Sequence, residues 1–93
     1  MKIYGDIQSG NCYKIKLLCS FLSIEHEWIH VNILESETHT PEFLSKNPNA
    51  KIPLLELSDG RCLSESNAIL YFLSEGTSFS SDDKFVKAKI LQW

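Results

Sequence analysis

A chain of 93 residues is long enough for one small domain, near the lower limit at which a hydrophobic core alone sustains folding. Its hydrophobic content of 43% and charged content of 23% are ordinary for a globular protein. A net charge of −3 without a basic stripe argues against a nucleic-acid partner. No apolar run approaches the roughly 20 residues that span a bilayer, and no signal peptide is visible, so we expect no membrane association.

Three cysteines, Cys12, Cys19 and Cys62, are present without CxxC spacing. An odd number of widely spaced cysteines fits neither a disulfide framework nor a zinc site. Reduced thiols of this kind are typical of the cytoplasm, which is the location we expect.

The first half of the chain predicts a strand, a helix and a second strand. Residues 2–4 form a short apolar strand, which Gly5 and Asp6 interrupt. From Asn11 the apolar residues recur with helical spacing, and Ser9 is well placed as the N-cap. The helix fades at Ser23, and residues 28–33 alternate as the second strand.

The second half predicts a short helix, a hairpin and a third helix. A polar loop spans 35–40, and Pro41 suits the first turn of the short helix. The segments 54–57 and 61–64 flank a Ser-Asp-Gly turn, which is a strong hairpin signal. The last helix spans 66–75, with Gly76 as its stop and an inner face of Ile69, Phe72 and Leu73.

The predicted order is therefore β-α-β, a short helix, then β-β-α. A strand–helix–strand unit requires parallel pairing, and the hairpin adds two more strands. We predict an α/β fold of thioredoxin type, with a four-stranded mixed sheet and both long helices on one face.

The end of the chain does not fit this closed unit. Residues 77–83 are rich in Ser and Asp and are interpreted as a linker that follows a domain of residues 1–76. Apolar residues at 86, 90 and 93 form one helical stripe within 84–93. This segment either folds back as a helix onto the domain or begins a second, all-helical domain, and we prefer the second interpretation.

The segment around Ile52 and Pro53 predicts a binding surface. A proline in a bend just ahead of a strand is where a cis peptide bond is most plausible. Such a bend would leave the backbone of Ile52 free to pair with an extended, peptide-like ligand. Glu65 and Ser66 open the last helix, whose N-terminus favours an anionic group.

These motifs together resemble the N-terminal domain of a glutathione transferase. The resemblance covers essentially the whole chain and rests on 9–14 (SGNCYK), on Asn47-Pro48 with Lys51-Ile52-Pro53, and on 63–69 (LSESNAI). The tail at 84–93 resembles the first helix of the family's C-terminal domain. The sequence is most similar to bacterial members of the serine or cysteine type.

The resemblance implies a glutathione site. Ile52, with a cis Pro53, would pair its backbone with the cysteinyl unit of glutathione. Glu65 and Ser66 would hold the γ-glutamyl amine and carboxylate. Residues that often reach the glycyl carboxylate in the family correspond to Thr38, His39 and Lys51.

The resemblance also implies a side chain that stabilises the glutathione thiolate. Tyrosine-type members carry a tyrosine at the end of the first strand, where this chain has Gly5, and Tyr4 should point to the other face. Ser9 is therefore the expected catalytic hydroxyl, although it could serve only as a helix cap. Cys12 corresponds to the resolving cysteine of thioredoxin-like CxxC proteins and is a possible redox thiol.

Three functions follow from these residues. The first is glutathione transfer to a small electrophile, as in detoxification, with glutathione as co-substrate and no metal or organic cofactor. The second is glutaredoxin-like thiol–disulfide exchange through Cys12, and the third is a non-catalytic binding module. The family further implies a helical C-terminal domain, missing here, and a homodimer in the full-length form.

Overall fold

The computed structural model describes residues 1–75 and three single positions, 85, 88 and 92. The predicted helix stop at Gly76, the linker at 77–83 and, apart from those three positions, the segment 84–93 lie outside the described residues. The strands and helices in chain order are β1 (Lys2–Gly5), α1 (Gly10–Leu22), β2 (Glu27–His30), α2 (Pro41–Lys46), β3 (Leu54–Glu56), β4 (Cys62–Ser64) and α3 (Ser66–Ser74).

The four strands form one mixed sheet in the order β2-β1-β3-β4. β1 pairs in parallel with β2, whereas β3 is antiparallel to both β1 and β4. The thioredoxin-like fold and the mixed sheet predicted from the sequence are thus confirmed.

Alternation along β1 and β3 gives the sheet two different faces. Ile3 and Leu55 point to one face, where they form the larger core with buried residues of α1 and α3. Tyr4 and Leu54 point to the opposite face and pack with Phe43 of α2. The two long helices therefore cover one face, as expected, and the short helix covers the other.

The second strand is shorter than the sequence predicts, because the chain turns at Asn32. The Asn32 side-chain oxygen accepts a hydrogen bond from the Leu34 N–H at 3.0 Å, and the backbone N–H of Asn32 donates to the Glu37 carboxylate at 2.7 Å. These bonds replace a sheet ladder and start the 3-10 turn Ile33–Glu35. A second 3-10 turn, Glu37–His39, lies in the segment predicted as an irregular loop.

The inner face of α3 also differs from the prediction. Phe72 is 46% exposed, whereas Ile69, Leu70 and Leu73 are buried. The buried stripe includes Leu70 because the helix packs against both α1 and the β3–β4 hairpin, which widens its apolar face. Phe72 lies at the flank of this stripe and lines a surface groove with residues of β3 and β4.

Two further observations limit the kinds of site in the described part of the chain. None of its helices combines the length and hydropathy of a membrane span. It also contains no group of three His, Cys, Asp or Glu side chains arranged to hold a metal ion.

Candidate functional site

A cavity of about 160 Å³ opens where the start of α1, the loop before β3 and the start of α3 meet. It brings together five residues predicted from the sequence and three that were not predicted. Its lining consists of Asn11, Asn47, Lys51, Ile52, Pro53, Ser64, Glu65 and Ser66.

The peptide bond between Ile52 and Pro53 is cis, as predicted. Within the described residues, neither the N–H nor the carbonyl oxygen of Ile52 forms a hydrogen bond. The Ile52 side chain packs against the core on the α2 side of the sheet, and Pro53 is buried. The backbone of Ile52 is therefore fixed in place and available to a ligand.

The opposite wall begins at Glu65, which has a positive φ of 73°. An L-residue held at such a φ costs on the order of 1–3 kcal/mol, a cost that concentrates at functional sites. The Glu65 carboxylate makes no capping bond to α3, and its backbone carbonyl accepts from the Ile69 N–H at 3.0 Å. Ser66 begins the helix, whose first N–H groups have no partner within the helix and suit an anion.

Asn47 braces the loop that carries Lys51. The Asn47 side chain is 3% exposed. Its amide donates to the Lys51 carbonyl oxygen at 2.9 Å, and its oxygen accepts from the Asn49 N–H at 3.2 Å. The sequence shows Asn47 only as part of a resemblance motif, because its bond to Lys51 depends on how the loop folds back.

Asn11 and Ser64 also line the cavity and were not predicted. Asn11 lies in the first turn of α1, inside the segment that carries the family resemblance, and Ser64 immediately precedes Glu65. The sequence signal that could have identified them is their position inside the two resemblance segments, 9–14 and 63–69.

Ser9 is the N-cap residue of α1 by backbone geometry, with φ −79° and ψ 127°. Its hydroxyl nevertheless makes no capping hydrogen bond; only its backbone takes part, through Asp6 and Tyr13. The hydroxyl is thus free for another partner. Ser9 is not one of the eight residues that line the cavity, although Asn11, two positions later, is.

The cysteines differ in environment. Cys12 is 0% exposed and packs against Gly5, so its thiol has no access to solvent. Burial raises the pKa of the Cys19 thiol, and the nearby Lys16 opposes this shift. The pKa of the partly exposed Cys62 thiol is raised by burial and, to a lesser extent, by the Glu56 carboxylate.

Thr38 and His39 lie apart from the cavity lining. Both belong to the 3-10 turn Glu37–His39, in which Thr38 is buried and His39 is exposed. Neither lines the cavity. The structure thus brings Lys51, but not these two residues, to the cavity with the cis-proline loop.

Comparison with known proteins identifies the family of this fold. Residues 1–75 match the family model described as the glutathione S-transferase N-terminal domain. A crystal structure of a glutathione S-transferase from Pseudomonas fluorescens Pf-5 is 54% identical and superposes with a TM-score of 0.90, covering 99% of this chain and 46% of that one.

Two further relatives broaden the comparison. A glutathione transferase homologue from Drosophila mojavensis, solved with bound glutathione, is 30% identical with a TM-score of 0.85, covering 94% of this chain and 41% of that one. Elongation factor 1-gamma from Artemia salina is 29% identical over 92 residues, which is 99% of this chain and 21% of the factor.

The chain spans less than half the length of each of these three proteins. The match to the family model nonetheless covers every residue from the first strand to the end of α3. The chain therefore belongs to the glutathione S-transferase family, and its described fold is the family's N-terminal domain.

Proposed function

We propose that this chain binds glutathione in the cavity and stabilises its thiolate for attack on an electrophile. The observation that carries the proposal is the position of the free Ile52 backbone opposite Glu65 and Ser66 in one cavity. A γ-glutamyl tripeptide carries the groups that such a cavity would recognise: a peptide backbone, an amine and two carboxylates.

Each end of glutathione has a partner in this proposal. The backbone of Ile52 pairs with the cysteinyl unit as a short β-type addition. The Glu65 carboxylate binds the γ-glutamyl amine, and Ser66 with the first N–H groups of α3 binds the γ-glutamyl carboxylate. Lys51, which lines the cavity, is the proposed partner of the glycyl carboxylate. Thr38 and His39 remain hypotheses for that same group.

Ser9 is the proposed catalytic residue. The glutathione thiol should have a pKa near 8.5, like a free cysteine, so that little thiolate exists at neutral pH. A hydrogen bond donated by the Ser9 hydroxyl to the sulfur would contribute roughly 1.5–3 kcal/mol, and the N-terminus of α1 about 0.3–1 kcal/mol. Together these would lower the thiol pKa by about one to three units.

The reaction then follows from the thiolate. The thiol proton passes to solvent, and Ser9 keeps its own proton as a donor. The sulfur uses an electron pair to form a bond to an electrophilic carbon. The leaving group departs with its bonding electrons or, in an addition, the product takes up a proton. No redox partner is needed.

The two alternatives fare differently. Thiol–disulfide exchange through Cys12 is disfavoured because that thiol is 0% exposed. A non-catalytic binding module is the second candidate, because the similarity to elongation factor 1-gamma extends over nearly the whole chain. In that case the cavity would bind glutathione without catalysing a reaction, or it would be retained as part of the fold without binding glutathione.

The wider setting belongs to the proposal as well. A small electrophile would be bound partly by a helical C-terminal domain, which the relatives' greater length allows for. A homodimer, a cytoplasmic location and a role in detoxification follow from the family resemblance.

A titration of the full chain with glutathione, followed by amide shifts in NMR, tests binding. We expect saturable shifts at Ile52, Glu65 and Ser66. An analogue with alanine in place of cysteine should shift the same residues, because the tripeptide frame provides the recognition. Absence of saturable shifts with either ligand would overturn the proposal.

A Ser9→Ala variant tests catalysis. We expect a higher pKa of the bound thiol and a conjugation rate at neutral pH that is lower by roughly one to two orders of magnitude. Glutathione affinity should be unchanged at a pH well below the thiol pKa and weaker at neutral pH by the factor that the pKa change implies. A Cys12→Ala variant is the matched control and should keep the thiol pKa. A Ser9→Ala variant with unchanged thiol pKa and rate would remove Ser9 from the mechanism. Wild-type binding without any turnover would favour the binding module.

A further inference from the structure

Three polar side chains meet on the α2 face of the sheet and form what we call the anchor cluster: Tyr4, Lys46 and Glu56. The Tyr4 hydroxyl donates to Glu56 Oε1 at 2.6 Å. Lys46 Nζ donates to the Tyr4 oxygen at 3.3 Å and lies 3.6 Å from Glu56 Oε1. Each member therefore contacts the other two.

The electrostatics of the anchor cluster are mutually supporting. The hydrogen bond from Tyr4 lowers the pKa of Glu56, and the contact with Tyr4 raises the pKa of Lys46. Burial and the bond to Glu56 raise the pKa of Tyr4. At neutral pH the cluster thus consists of the Glu56 anion, the Lys46 cation and the neutral Tyr4 phenol, which bonds to both.

The members come from three different elements, so the cluster ties those elements together. Tyr4 belongs to β1, Glu56 to β3 and Lys46 to the last turn of α2. Lys46 Nζ also lies 5.4 Å from the centre of the Tyr4 ring, and the Phe43 ring packs edge-on against the same ring at 6.2 Å. The C-terminal end of α2 is therefore fixed to the two central strands.

That helix end leads directly into the cavity. Asn47 follows Lys46, and its N–H donates to the Phe43 carbonyl oxygen at 2.9 Å. Its side chain then holds the Lys51 carbonyl oxygen at 2.9 Å, one residue before Ile52. A continuous series of bonded groups runs from the anchor cluster to the backbone that we assign to the ligand.

We infer that the anchor cluster is a positioning device for glutathione: by fixing the end of α2 it sets the place of the Ile52 backbone, without touching the ligand. This inference rests on the proposed function. None of the three side chains lines the cavity. Loss of the cluster should therefore weaken binding only through the loop 47–52, and it should leave the wall at Glu65 and Ser66 unchanged.

Two substitutions remove the polar contacts while keeping most of the packing. Tyr4→Phe deletes only the hydroxyl, and Lys46→Met keeps an apolar stem against the Tyr4 ring. The matched control is Glu42→Gln, because the Glu42 carboxylate lies 3.8 Å from the same Lys46 ammonium but is exposed. An exposed pair of this kind contributes little to stability.

The full chain of each variant is titrated with glutathione at a temperature well below unfolding. Tyr4→Phe and Lys46→Met should each raise the dissociation constant for glutathione by about fivefold, which is the loss of affinity expected for one misplaced hydrogen bond. Without ligand, their amide shifts should change at Asn47, Lys51 and Ile52 and stay constant at Glu65 and Ser66. Glu42→Gln should match wild type in both measurements.

The outcomes separate this inference from the function on which it rests. Unchanged affinity in folded Tyr4→Phe overturns the inference while glutathione binding stands. If wild type binds no glutathione, the proposed function fails, and the unligated shifts decide on positioning: movement confined to 47–52 supports it, and unchanged shifts refute it. Should Lys46→Met fail to fold, the milder Tyr4→Phe decides.

Discussion

Gly5 and Cys12 lie in such close contact that a Cβ added to Gly5 would sit 3.0 Å from the Cys12 sulfur. The same atom would lie 3.1 Å from the Trp28 ring. Any side chain at the end of β1 would therefore have to displace these neighbours. The resemblance aligns Gly5 with the tyrosine of tyrosine-type members, and a side chain that large at Gly5 would meet Cys12 and Trp28. Tyr4 itself points to the α2 face.

Gly5→Ala should destabilise the fold by about 1–3 kcal/mol, because overpacking must displace the buried Cys12 or Trp28. Thermal or urea unfolding checks this. Gly10→Ala is the control: its added Cβ meets nothing within 4 Å, so its stability should stay within about 1 kcal/mol of wild type. Equal stability of the two variants would contradict the packing argument.

Glu65→Gly should separate stability from binding. Glycine tolerates the positive φ of 73°, so the free energy of unfolding should be unchanged or higher by about 1 kcal/mol. The loss of the carboxylate should weaken glutathione binding by more than about tenfold, since charge-assisted bonds contribute roughly 1.5–3 kcal/mol.

Ser23→Gly is the matched control for that experiment. Ser23 has a φ of 53° at the C-terminus of α1 and does not line the cavity. Its substitution should relieve a similar backbone strain and leave affinity unchanged. Calorimetric titration and urea unfolding of both variants give the comparison; an affinity loss in both would indicate a global effect.

Asn47→Ala should weaken both stability and binding. The Lys51 carbonyl oxygen would lose its donor and the Asn49 N–H its acceptor, at a cost of about 1–3 kcal/mol. Amide hydrogen exchange within 47–52 should increase. Asn49→Ala keeps the backbone N–H that makes the bond, so it should behave like wild type in both assays.

The acid limb of the stability curve should depend on Glu56. Its pKa is lowered in the folded state, chiefly by the bond from Tyr4, so the unfolded chain binds the proton more tightly. The resulting stability is present above the ordinary pKa of 4.5 and is lost as pH falls through the lower folded value. Glu56→Gln should flatten this limb in urea unfolding, whereas Glu42→Gln should preserve it.

At alkaline pH the stability of the fold should decrease as the pH rises, which is the opposite direction to the acid limb. The pKa of Lys46 is raised above 10.5 in the folded state, mainly by its contact with Tyr4. Its contribution is therefore complete below that pH and is lost as pH rises through the folded value. Lys46→Met should remove this loss; an unchanged alkaline slope would show that Lys46 does not contribute it.

The sequence predicted those features that depend on short-range chemistry. The cis-proline bend, the hairpin turn and the helix that begins at Ser66 were each visible as local patterns, and five of the eight cavity residues came from two such patterns. Sequence spacing alone does not show which distant segments lie together in the fold. The family resemblance gave that information, and so it joined these patterns into one predicted site.

The features that the sequence missed depend on contacts between distant segments. Asn47 lines the cavity and bonds to Lys51 across a loop whose folding the local sequence does not determine. Phe72 has the right helical spacing for the core, but α3 is oriented so that Leu70 is buried with Ile69 and Leu73 while Phe72 stays exposed. Residues 31–33 alternate like a strand, yet the side chain of Asn32 provides a local hydrogen bond that ends the ladder.

The cavity draws its walls from the start of α1, the loop before β3 and the start of α3. These segments are far apart in the sequence, and the folded sheet and its helices bring them together. Occupancy by a ligand is therefore a report on the whole fold. A ligand that binds only the folded chain raises the free energy of unfolding, by about 2.7 kcal/mol when the ligand is at about 100 times Kd. A high concentration of the ligand would thus stabilise the folded chain as well as fill its cavity.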